Sequence, residues 1–597
     1  MPVLDLEKLL QTPYVDPYRG YDISPDGQWA VFSWNKTGEW EIYEVALFDQ
    51  NKVRQITTGE GGKFAPLYHP SGSQVAYVLD GDGSESFNVY LYDRDSREHR
   101  NLTAGIEGAI QPNLSWSPEG NRLALIANQT GCFHTYILSL GSGDIRLVLD
   151  EPFHDWDVAW SPDGRYLAVE AETTGQDYGV FMVPVEGGTP FRLSEKGAAL
   201  NARQVSWHPE ENLLAFSSDH DSRYRIGIFD QEAGDLSWLP GGEYDDKSPQ
   251  WSPDGEQIVF ERWKGPRTSI AVVSLTDGEV LTPDTKAGVY YHPQFTPDGE
   301  HISYIFDSAD QPQDLWLYSM SSGGTAQLTE SLPEDLRGSQ FFIPDEVYYP
   351  GEDGAQIPAL LFLPEEISEP APAVIYIHGG PNWLSQITWY PEVQHFVSRG
   401  WVVLAPNYRG SIGFGREWQL ANRYDLGGVD TRDVAAGRKY LIDNHRVDPE
   451  RIAVTGRSHG GYLTMTCLTQ YPEFWAAGSA VVPFLNWFTS HENAREDLQH
   501  WDLENMGDPD ENESLWYERS PFFFLDRIQA PVQLICGAND PRCPASESVM
   551  ARDKLLSINK EVDLQLYAGE GHAFLKTENV LDAERKRVAF LSQALEQ

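Results

Sequence analysis

The sequence is poor in basic residues and has no long hydrophobic run. Lys and Arg total 44 against 90 Asp and Glu, giving a formal net charge of −46. Such a charge repels phosphate backbones and anionic lipids, so we expect no nucleic-acid and no membrane partner. No apolar stretch approaches the length that spans a bilayer. The start, "MPVLDLEKLLQTPYVDPYRG", lacks the basic and apolar segments of a secretory signal. We expect a cytoplasmic protein.

Cysteine is also scarce. The four cysteines are Cys132, Cys467, Cys536 and Cys543, and they form neither C-x-x-C pairs nor zinc-type clusters with histidine. This excludes a disulfide framework and gives no sign of a metal site. Cys536 and Cys543 flank one loop and would pair under oxidation, but two free thiols are expected in a reducing compartment.

A repeated unit fills the first half of the chain. Each copy has an aromatic or apolar residue, a turn of the Pro-Asp-Gly type, and an alternating apolar run. The seven turn prolines are Pro25, Pro70, Pro118, Pro162, Pro209, Pro253 and Pro297. The period of about 45 residues is typical of four-stranded propeller blades. One such sheet cannot bury both faces, so the copies are expected to stack radially into a seven-bladed β-propeller over residues 21–337.

The second half changes period. From 338 to 597, short apolar runs such as "APAVIYIHGG" and "WVVLAPNYRG" alternate with helical segments such as "VDTRDVAAGRKYLIDNH". This alternation predicts an α/β-hydrolase domain with a mainly parallel sheet. Residues 1–20, with "DLEKLLQT" as a short helix, are expected to form an extension that packs on this domain or on a second subunit.

A serine lies at the junction of a strand-forming and a helix-forming run. The stretch "GRSHG", from Gly456 to Gly460, fits the G-x-S-x-G elbow, whose tight turn exposes the serine oxygen of Ser458. An N-cap serine is the alternative interpretation of the same position. The choice depends on whether an acid and a base follow.

Both follow in the order that an α/β-hydrolase requires. Asp540 comes after the strand "VQLICG", and His572 comes after "VDLQLY". Asp563 fits less well as the acid because it lies inside a strand. His459, adjacent to the nucleophile, is expected to contribute its backbone N–H and not its imidazole. These residues predict nucleophilic catalysis through a Ser-Asp-His triad.

A fourth loop is expected to supply an oxyanion hole. "HGGP" follows a strand directly, so its backbone N–H groups can face a developing negative charge. An ordinary glycine turn is the alternative.

The whole pattern resembles the prolyl oligopeptidase family of serine peptidases, and most closely its acylaminoacyl-peptidase branch. The motifs "HGGP", "NYRGSIGFG", "GRSHGGY", "GANDPRCP" and "GEGHAF" occur in that family's order. The family more often has "GGSYGGY" at the elbow, so Arg457 and His459 are departures. The resemblance implies Ser458 as nucleophile, Asp540 as orienting acid and His572 as base.

The resemblance also implies roles around these three residues. The backbone N–H groups of His459 and Gly380 would form the oxyanion hole, and His378 would stand where other branches have a tyrosine. Arg542 matches an arginine that binds a substrate carbonyl, with a plain salt bridge as the alternative. In "VVPFLNWF", Phe484 and Trp487 are candidates for the specificity pocket, although aromatic residues there also suit a core.

The expected function is hydrolysis of short peptides through an acyl-enzyme, releasing N-acylated amino acids, with esterase side activity. The alternatives are an aminopeptidase or dipeptidyl peptidase acting on free N-termini, an oligopeptide endopeptidase, and a non-catalytic propeller scaffold. The chemistry implies no metal and no organic cofactor. Short peptides are the expected partners, and a homo-oligomer is compatible with the resemblance.

Overall fold

The computed structural model describes residues 3–219, 221–283, 286–367 and 369–596. The outermost ends of the predicted extension and of the predicted hydrolase domain, residues 1–2 and 597, lie outside this description.

Seven four-stranded antiparallel sheets make up the first part of the described chain, which confirms the seven-bladed propeller. Their strands, four to a blade, are β1–β4 (Tyr21–Ile23, Trp29–Trp34, Glu41–Ala46, Asp49–Gln55), β5–β8 (Gly62–Tyr68, Gln74–Asp80, Asn88–Asp93, His99–Asn101), β9–β12 (Ile110–Trp116, Arg122–Ala127, His134–Ser139, Ile145–Leu147), β13–β16 (His154–Trp160, Tyr166–Thr174, Asp177–Pro184, Phe191–Arg192), β19–β22 (Ala202–Trp207, Leu213–Ser218, Arg225–Asp230, Leu236–Trp238), β23–β26 (Asp245–Trp251, Gln257–Lys264, Arg267–Ser274, Val280–Leu281) and β27–β30 (Val289–Phe295, His301–Ser308, Gln311–Ser319, Thr325–Gln327). A small hairpin, β17–β18 (Ser194–Glu195, Ala198–Ala199), links the fourth and fifth blades.

The repeated turns form for local reasons. In the fourth blade the Ser161 hydroxyl donates to Asp163 at 2.7 Å, and the same carboxylate accepts from the Arg165 N–H at 2.9 Å. The Asp163 carboxylate thus accepts the hydrogen bonds of the turn that joins strands β13 and β14.

The ring closes between the first and last blades. The Tyr21 hydroxyl donates to Ser303 Oγ at 2.8 Å, and a Cβ on Gly27 would lie 3.6 Å from Pro297. First and last repeats are therefore direct neighbours, as radial stacking of all seven copies requires.

The second part of the chain is one eight-stranded sheet flanked by helices, the predicted α/β-hydrolase fold. Its strands are β31 (Asp345–Pro350), β32 (Gln356–Phe362), β33 (Ala371–Ile377), β34 (Val402–Pro406), β35 (Val447–Arg457), β36 (Ala477–Val481), β37 (Val532–Gly537) and β38 (Val562–Tyr567). The sheet order is β31-β32-β34-β33-β35-β36-β37-β38. Only the pairs β31/β32 and β32/β34 are antiparallel. The other pairs are parallel, so their carboxyl ends share one edge, where functional loops of such sheets lie.

The helices lie on the faces of this sheet and at its functional edge. They are α1 (Leu6–Leu10), α2 (Pro391–Ser398), α3 (Arg416–Leu420), α4 (Val429–His445), α5 (His459–Gln470), α6 (Trp487–Asn493), α7 (Glu496–Met506), α8 (Glu513–Glu518), a 3₁₀ helix (Pro521–Arg527), α9 (Ala545–Ser557) and α10 (Thr577–Leu595). The predicted helix "VDTRDVAAGRKYLIDNH" matches α4 at both ends.

The N-terminal segment packs on the second domain. Leu6 and Leu9 of α1 are buried in one apolar cluster with Phe396 of α2 and Leu591 of α10. The predicted domain limits near 20 and 338 fall in connections, since propeller strands run from Tyr21 to Gln327 and the next sheet begins at Asp345.

Among the described residues, no helix combines the length and the apolar character that crossing a membrane requires.

Candidate active site

Ser458 lies on a strained turn between strand β35 and helix α5. Its backbone angles, φ 58° and ψ −122°, are unusual for any residue with a side chain. A Cβ on Gly456 would lie 2.5 Å from the Gly460 carbonyl oxygen, and one on Gly460 would lie 2.3 Å from that of Ile377. Both flanking positions therefore need glycine, which explains the predicted elbow in physical terms and excludes a plain N-cap, since the Ser458 side chain makes no capping bond.

Ser458 lies directly before the N-terminus of helix α5. The Ser458 N–H donates to Val481 at 2.9 Å, and His459 is the first residue of α5. The first N–H groups of a helix lack intrahelical partners and carry the positive end of its dipole. Gly380, on the loop after β33, lines the same cavity as Ser458 and His459. His459 and Gly380 therefore border the cavity at Ser458, where the donors of an oxyanion hole are expected.

The imidazole of His459 is directed away from that role. It is 2% exposed, and its Nε2 lies 3.2 Å from the Asp430 carboxylate. His378 is also held inside the protein, with Nε2 2.8 Å from Ser411 Oγ and its ring stacked 4.2 Å from Tyr408. Burial lowers the pKa of His378 to about 3, so this ring is neutral.

Asp540 and His572 meet, as the sequence predicts. His572 Nδ1 donates to Asp540 Oδ2 at 2.8 Å, and both side chains are largely buried. The other oxygen of Asp540 accepts from the backbone N–H groups of Arg542 at 2.8 Å and Cys543 at 2.9 Å. Asp563, the weaker candidate, instead accepts from Gln533 and Gln565, within and beside β38.

Two contacts connect the loops that carry this pair to the elbow that carries Ser458. The Arg457 guanidinium, adjacent to Ser458, donates to the backbone carbonyl of His572. The Cys543 thiol lies beside the Ser458 hydroxyl, and burial raises its pKa well above the usual value, so it is protonated. Cys536 and Cys543 are both free thiols, as predicted. Sequence reasoning missed the Arg457 and Cys543 contacts.

A cavity of about 280 Å³ opens at Ser458 between the two domains. On the hydrolase side, Phe484 stacks on Tyr462 with ring centroids 4.5 Å apart, and Trp487 meets Phe484 edge-on at 4.8 Å. Both predicted pocket residues thus line the cavity, although Trp487 is only 2% exposed and also belongs to the core. This wall suits an apolar side chain.

The propeller supplies the opposite wall, which sequence reasoning did not identify. Trp156 and Glu172, on β13 and β14, line the cavity together with Asp497 and Asp502 of α7. Asp497 pairs with Arg495 at 2.7 Å, and Asp502 lies 3.2 Å from His491. Glu172 accepts from the Trp156 indole at 3.2 Å. Burial raises the pKa of Glu172, and the positive charge of nearby Arg203 lowers it. Burial is the larger effect, so the pKa is about 7.

A second propeller loop touches the loops that carry Asp540 and His572. Glu85 Oε2 lies 2.9 Å from Arg542 Nε, so the salt bridge considered for Arg542 forms, and Arg542 also lines the cavity. Asn539 donates to the Asp82 carbonyl at 2.9 Å. A Cβ on Gly83 would lie 2.5 Å from Gly571 N. No sequence motif marks Glu85 or Gly83, because the contact joins parts of the chain more than 450 residues apart.

The fold and the site define a hydrolase with an α/β-hydrolase catalytic domain beneath a propeller. Comparison with known families agrees. Residues 388–597 match the model of the prolyl oligopeptidase family, and residues 86–284 match that of the TolB β-propeller domain. The second domain therefore contains a domain of the prolyl oligopeptidase family of serine peptidases.

Relatives span several activities. The chain is 25% identical to an uncharacterised peptidase, YuxL, of Bacillus subtilis, over 86% of this chain and 94% of the relative. It is 27% identical to the acylamino-acid-releasing enzyme of Mus musculus, over 57% of this chain and 49% of that enzyme. It is 25% identical to dipeptidyl aminopeptidase BIII of Pseudoxanthomonas mexicana, over 96% of this chain and 86% of the relative.

Solved structures share the fold over the whole chain. A puromycin-hydrolyzing peptidase of Mycobacterium tuberculosis superimposes with a TM-score of 0.87 at 20% identity, covering 100% of this chain and 96% of that one. The acylaminoacyl peptidase of Pyrococcus horikoshii gives a TM-score of 0.75 at 18% identity, covering 100% and 98%.

Proposed function

We propose that the protein cleaves short peptides at their N-terminal end by acyl transfer to Ser458. The observation that carries the proposal is the 2.8 Å hydrogen bond between His572 and Asp540, on loops tied to the elbow of Ser458. Propeller residues line the cavity at Ser458, which supports short peptides and not folded proteins as the substrates.

The proposed mechanism assigns one role to each residue. Ser458 Oγ attacks the scissile carbonyl while His572 takes its proton, and Asp540 holds the imidazole in the right tautomer and stabilises its protonated form. The N–H groups of His459 and Gly380 stabilise the oxyanion, at about 3 kcal/mol for each donor. His572 then protonates the leaving amine. In the second step His572 takes a proton from water, the water oxygen attacks the acyl-enzyme carbonyl, and Ser458 Oγ leaves with the proton returned by His572.

Release of N-acylated amino acids is the first candidate specificity. The motifs that resemble the acylaminoacyl-peptidase branch support it, as does the similarity to the mouse acylamino-acid-releasing enzyme. The aromatic wall of Phe484 and Trp487 would take the side chain of the released residue.

A free N-terminus is the second candidate, and one observation favours it. The Glu172 carboxylate lies buried in the cavity wall with an indole N–H as its direct hydrogen-bond partner. The nearby Arg203 pairs with Glu170 at 3.3 Å, so a substrate ammonium group would give Glu172 a direct ion-pair partner. Because the Glu172 pKa is about 7, it becomes ionised, and attractive to a cation, as the pH rises through that value.

A substrate panel tests both candidates. We would compare kcat/KM for acetyl-alanyl, alanyl and glycyl-prolyl chromogenic amides, in wild type, Ser458→Ala and Glu172→Gln. The first candidate predicts preference for the acetylated amide and little effect of Glu172→Gln. The second predicts preference for free amines, lost in Glu172→Gln. Activity of Ser458→Ala equal to wild type would refute the whole proposal.

A further inference from the structure

The elbow arginine, Arg457, is the departure from the related motifs that the proposed mechanism leaves without a role. Its guanidinium donates to the main-chain carbonyl of His572 and lies 5.9 Å from the Phe574 ring centroid. Its side chain therefore reaches from the residue before the nucleophile to the segment that carries the base.

This guanidinium has no ion-pair partner within the part of the chain that the structure describes. The carboxylates whose charges act on it already have partners: Asp540 pairs with His572 at 2.8 Å, and Glu584 pairs with Arg587 at 2.5 Å. A partly buried cation without a direct counter-charge costs free energy, and burial lowers the Arg457 pKa accordingly. The hydrogen bond to the His572 carbonyl is the direct polar contact of this guanidinium among the described residues.

We propose that Arg457 is a positioning residue that holds the His572 segment against the elbow, so that the imidazole stays in register with Ser458. The inference rests on the proposed function, because it assigns His572 as the base. Arg457 does not touch the substrate. It acts on turnover by fixing the place of the base, where an error of about 1 Å costs on the order of 100-fold in rate.

The surroundings of Arg457 make this role testable by chemical rescue. Its side chain lines a cavity of about 400 Å³, shared with Tyr14 and Glu584, and also a neighbouring cavity of about 260 Å³. Truncation to alanine would open the vacated volume to these spaces, which are large enough to admit a small guanidinium ion.

The chain offers a matched control. Arg438 also donates to backbone carbonyls, those of Phe474 and Pro449 at 2.9 Å each. It also lies over a phenylalanine ring, 4.8 Å from the Phe474 centroid. It is in the same domain but away from the cavity at Ser458, so Arg438→Ala reports what the loss of a carbonyl-bound arginine does to folding alone.

The experiment measures kcat and KM of wild type, Arg457→Ala, Arg457→Lys and Arg438→Ala on a substrate cleaved by wild type, with millimolar methylguanidinium or, as control, methylammonium. We expect kcat of Arg457→Ala to fall about 10- to 100-fold with KM within twofold. Methylguanidinium should restore part of kcat, and methylammonium should not. Arg457→Lys should be intermediate, and Arg438→Ala should keep wild-type kcat.

Equal loss of kcat in Arg457→Ala and Arg438→Ala would overturn the inference, as would a loss confined to KM. Should Arg457→Ala fail to fold, Arg457→Lys decides, because wild-type turnover there would show that the guanidinium contact with the carbonyl is dispensable. Ser458→Ala distinguishes failure of the proposed function from failure of the positioning role. Full activity in that variant refutes the proposed function. An inactive Ser458→Ala beside an unaffected Arg457→Ala refutes only the positioning role.

Discussion

The Glu85 carboxylate of the propeller lies 2.9 Å from Arg542 Nε, on the loop that also presents Asp540. The same oxygen lies 3.2 Å from Arg495 Nη1. Burial alone would raise the Glu85 pKa, but the two arginines outweigh it and lower the pKa to about 2. The Glu85 carboxylate thus holds the propeller against the loop that carries Asp540, the acid of the proposed triad.

Replacing Glu85 should change how stability depends on pH. Because its folded pKa lies below the ordinary value of about 4.3, its stabilising effect is present above that value and is lost as the pH falls toward 2. We expect Glu85→Gln to unfold at a lower temperature than wild type near pH 6, with the difference shrinking by pH 3. Thermal unfolding between pH 2 and 7 measures this, with exposed Glu561→Gln as control. Parallel curves at every pH would contradict it.

Adding a methyl group to Gly83 should separate the propeller loop from the His572 loop. Its Cβ would lie 2.5 Å from Gly571 N, and its φ of +80° disfavours any side chain. We expect kcat/KM to fall by roughly tenfold or more in Gly83→Ala, since displaced catalytic loops lose rate steeply. Gly81→Ala, two residues away with open space around its Cβ, is the control and should behave as wild type. Equal activity of both variants would show that this contact does not support the site.

Asp155 should destabilise the propeller at alkaline pH. One of its oxygens accepts from Thr135, while the other is buried and unpartnered among the described residues, and burial raises its pKa to about 7. An acid with a raised folded pKa costs stability as the pH climbs from its unfolded pKa through the folded one. Asp155→Asn should therefore unfold at a higher temperature than wild type at pH 8 and at a similar one at pH 4. A lower unfolding temperature at pH 8 would count against this assignment.

The choice between the two candidate acids is open to kinetics. Asp540→Asn keeps the shape of the side chain but favours the wrong imidazole tautomer of His572, so kcat should drop by about 10³- to 10⁴-fold with little change in KM. Asp563→Asn, at a side chain that binds Gln533 and Gln565, should retain wild-type kcat. A large loss in the second variant alone would move the acid role to β38.

The features that could be predicted from the sequence depend on residues close together in the chain. Seven turns of the Pro-Asp-Gly type at a nearly constant period determine the blades, because each turn joins strands that pair within about 45 residues. The elbow motif is also local, since Gly456 is required by the Gly460 carbonyl in the same turn, whereas Gly460 is required by the Ile377 carbonyl of the neighbouring strand β33. The order of Ser458, Asp540 and His572 could be predicted because each follows a strand whose carboxyl end lies at the same edge of the sheet.

The features missed were contacts between distant segments. Glu172 reaches the cavity from the fourth blade, and Glu85 reaches Arg542 from the second. Which blade contacts which loop depends on how the two folded domains pack together, and a local sequence period does not predict that packing. The carbonyl contact of Arg457 belongs to the same class: the motif marked the residue as unusual, but only the fold shows what it binds.

Covalent trapping would show directly whether the hydroxyl at position 458 attacks with help from the imidazole at position 572. Wild type and His572→Ala would be treated with a fluorophosphonate, and the modified peptide and its rate of formation would be followed by mass spectrometry. We expect one adduct, on Ser458, formed at least about 100-fold more slowly without the imidazole. An adduct on another residue, or the same rate in both proteins, would contradict it.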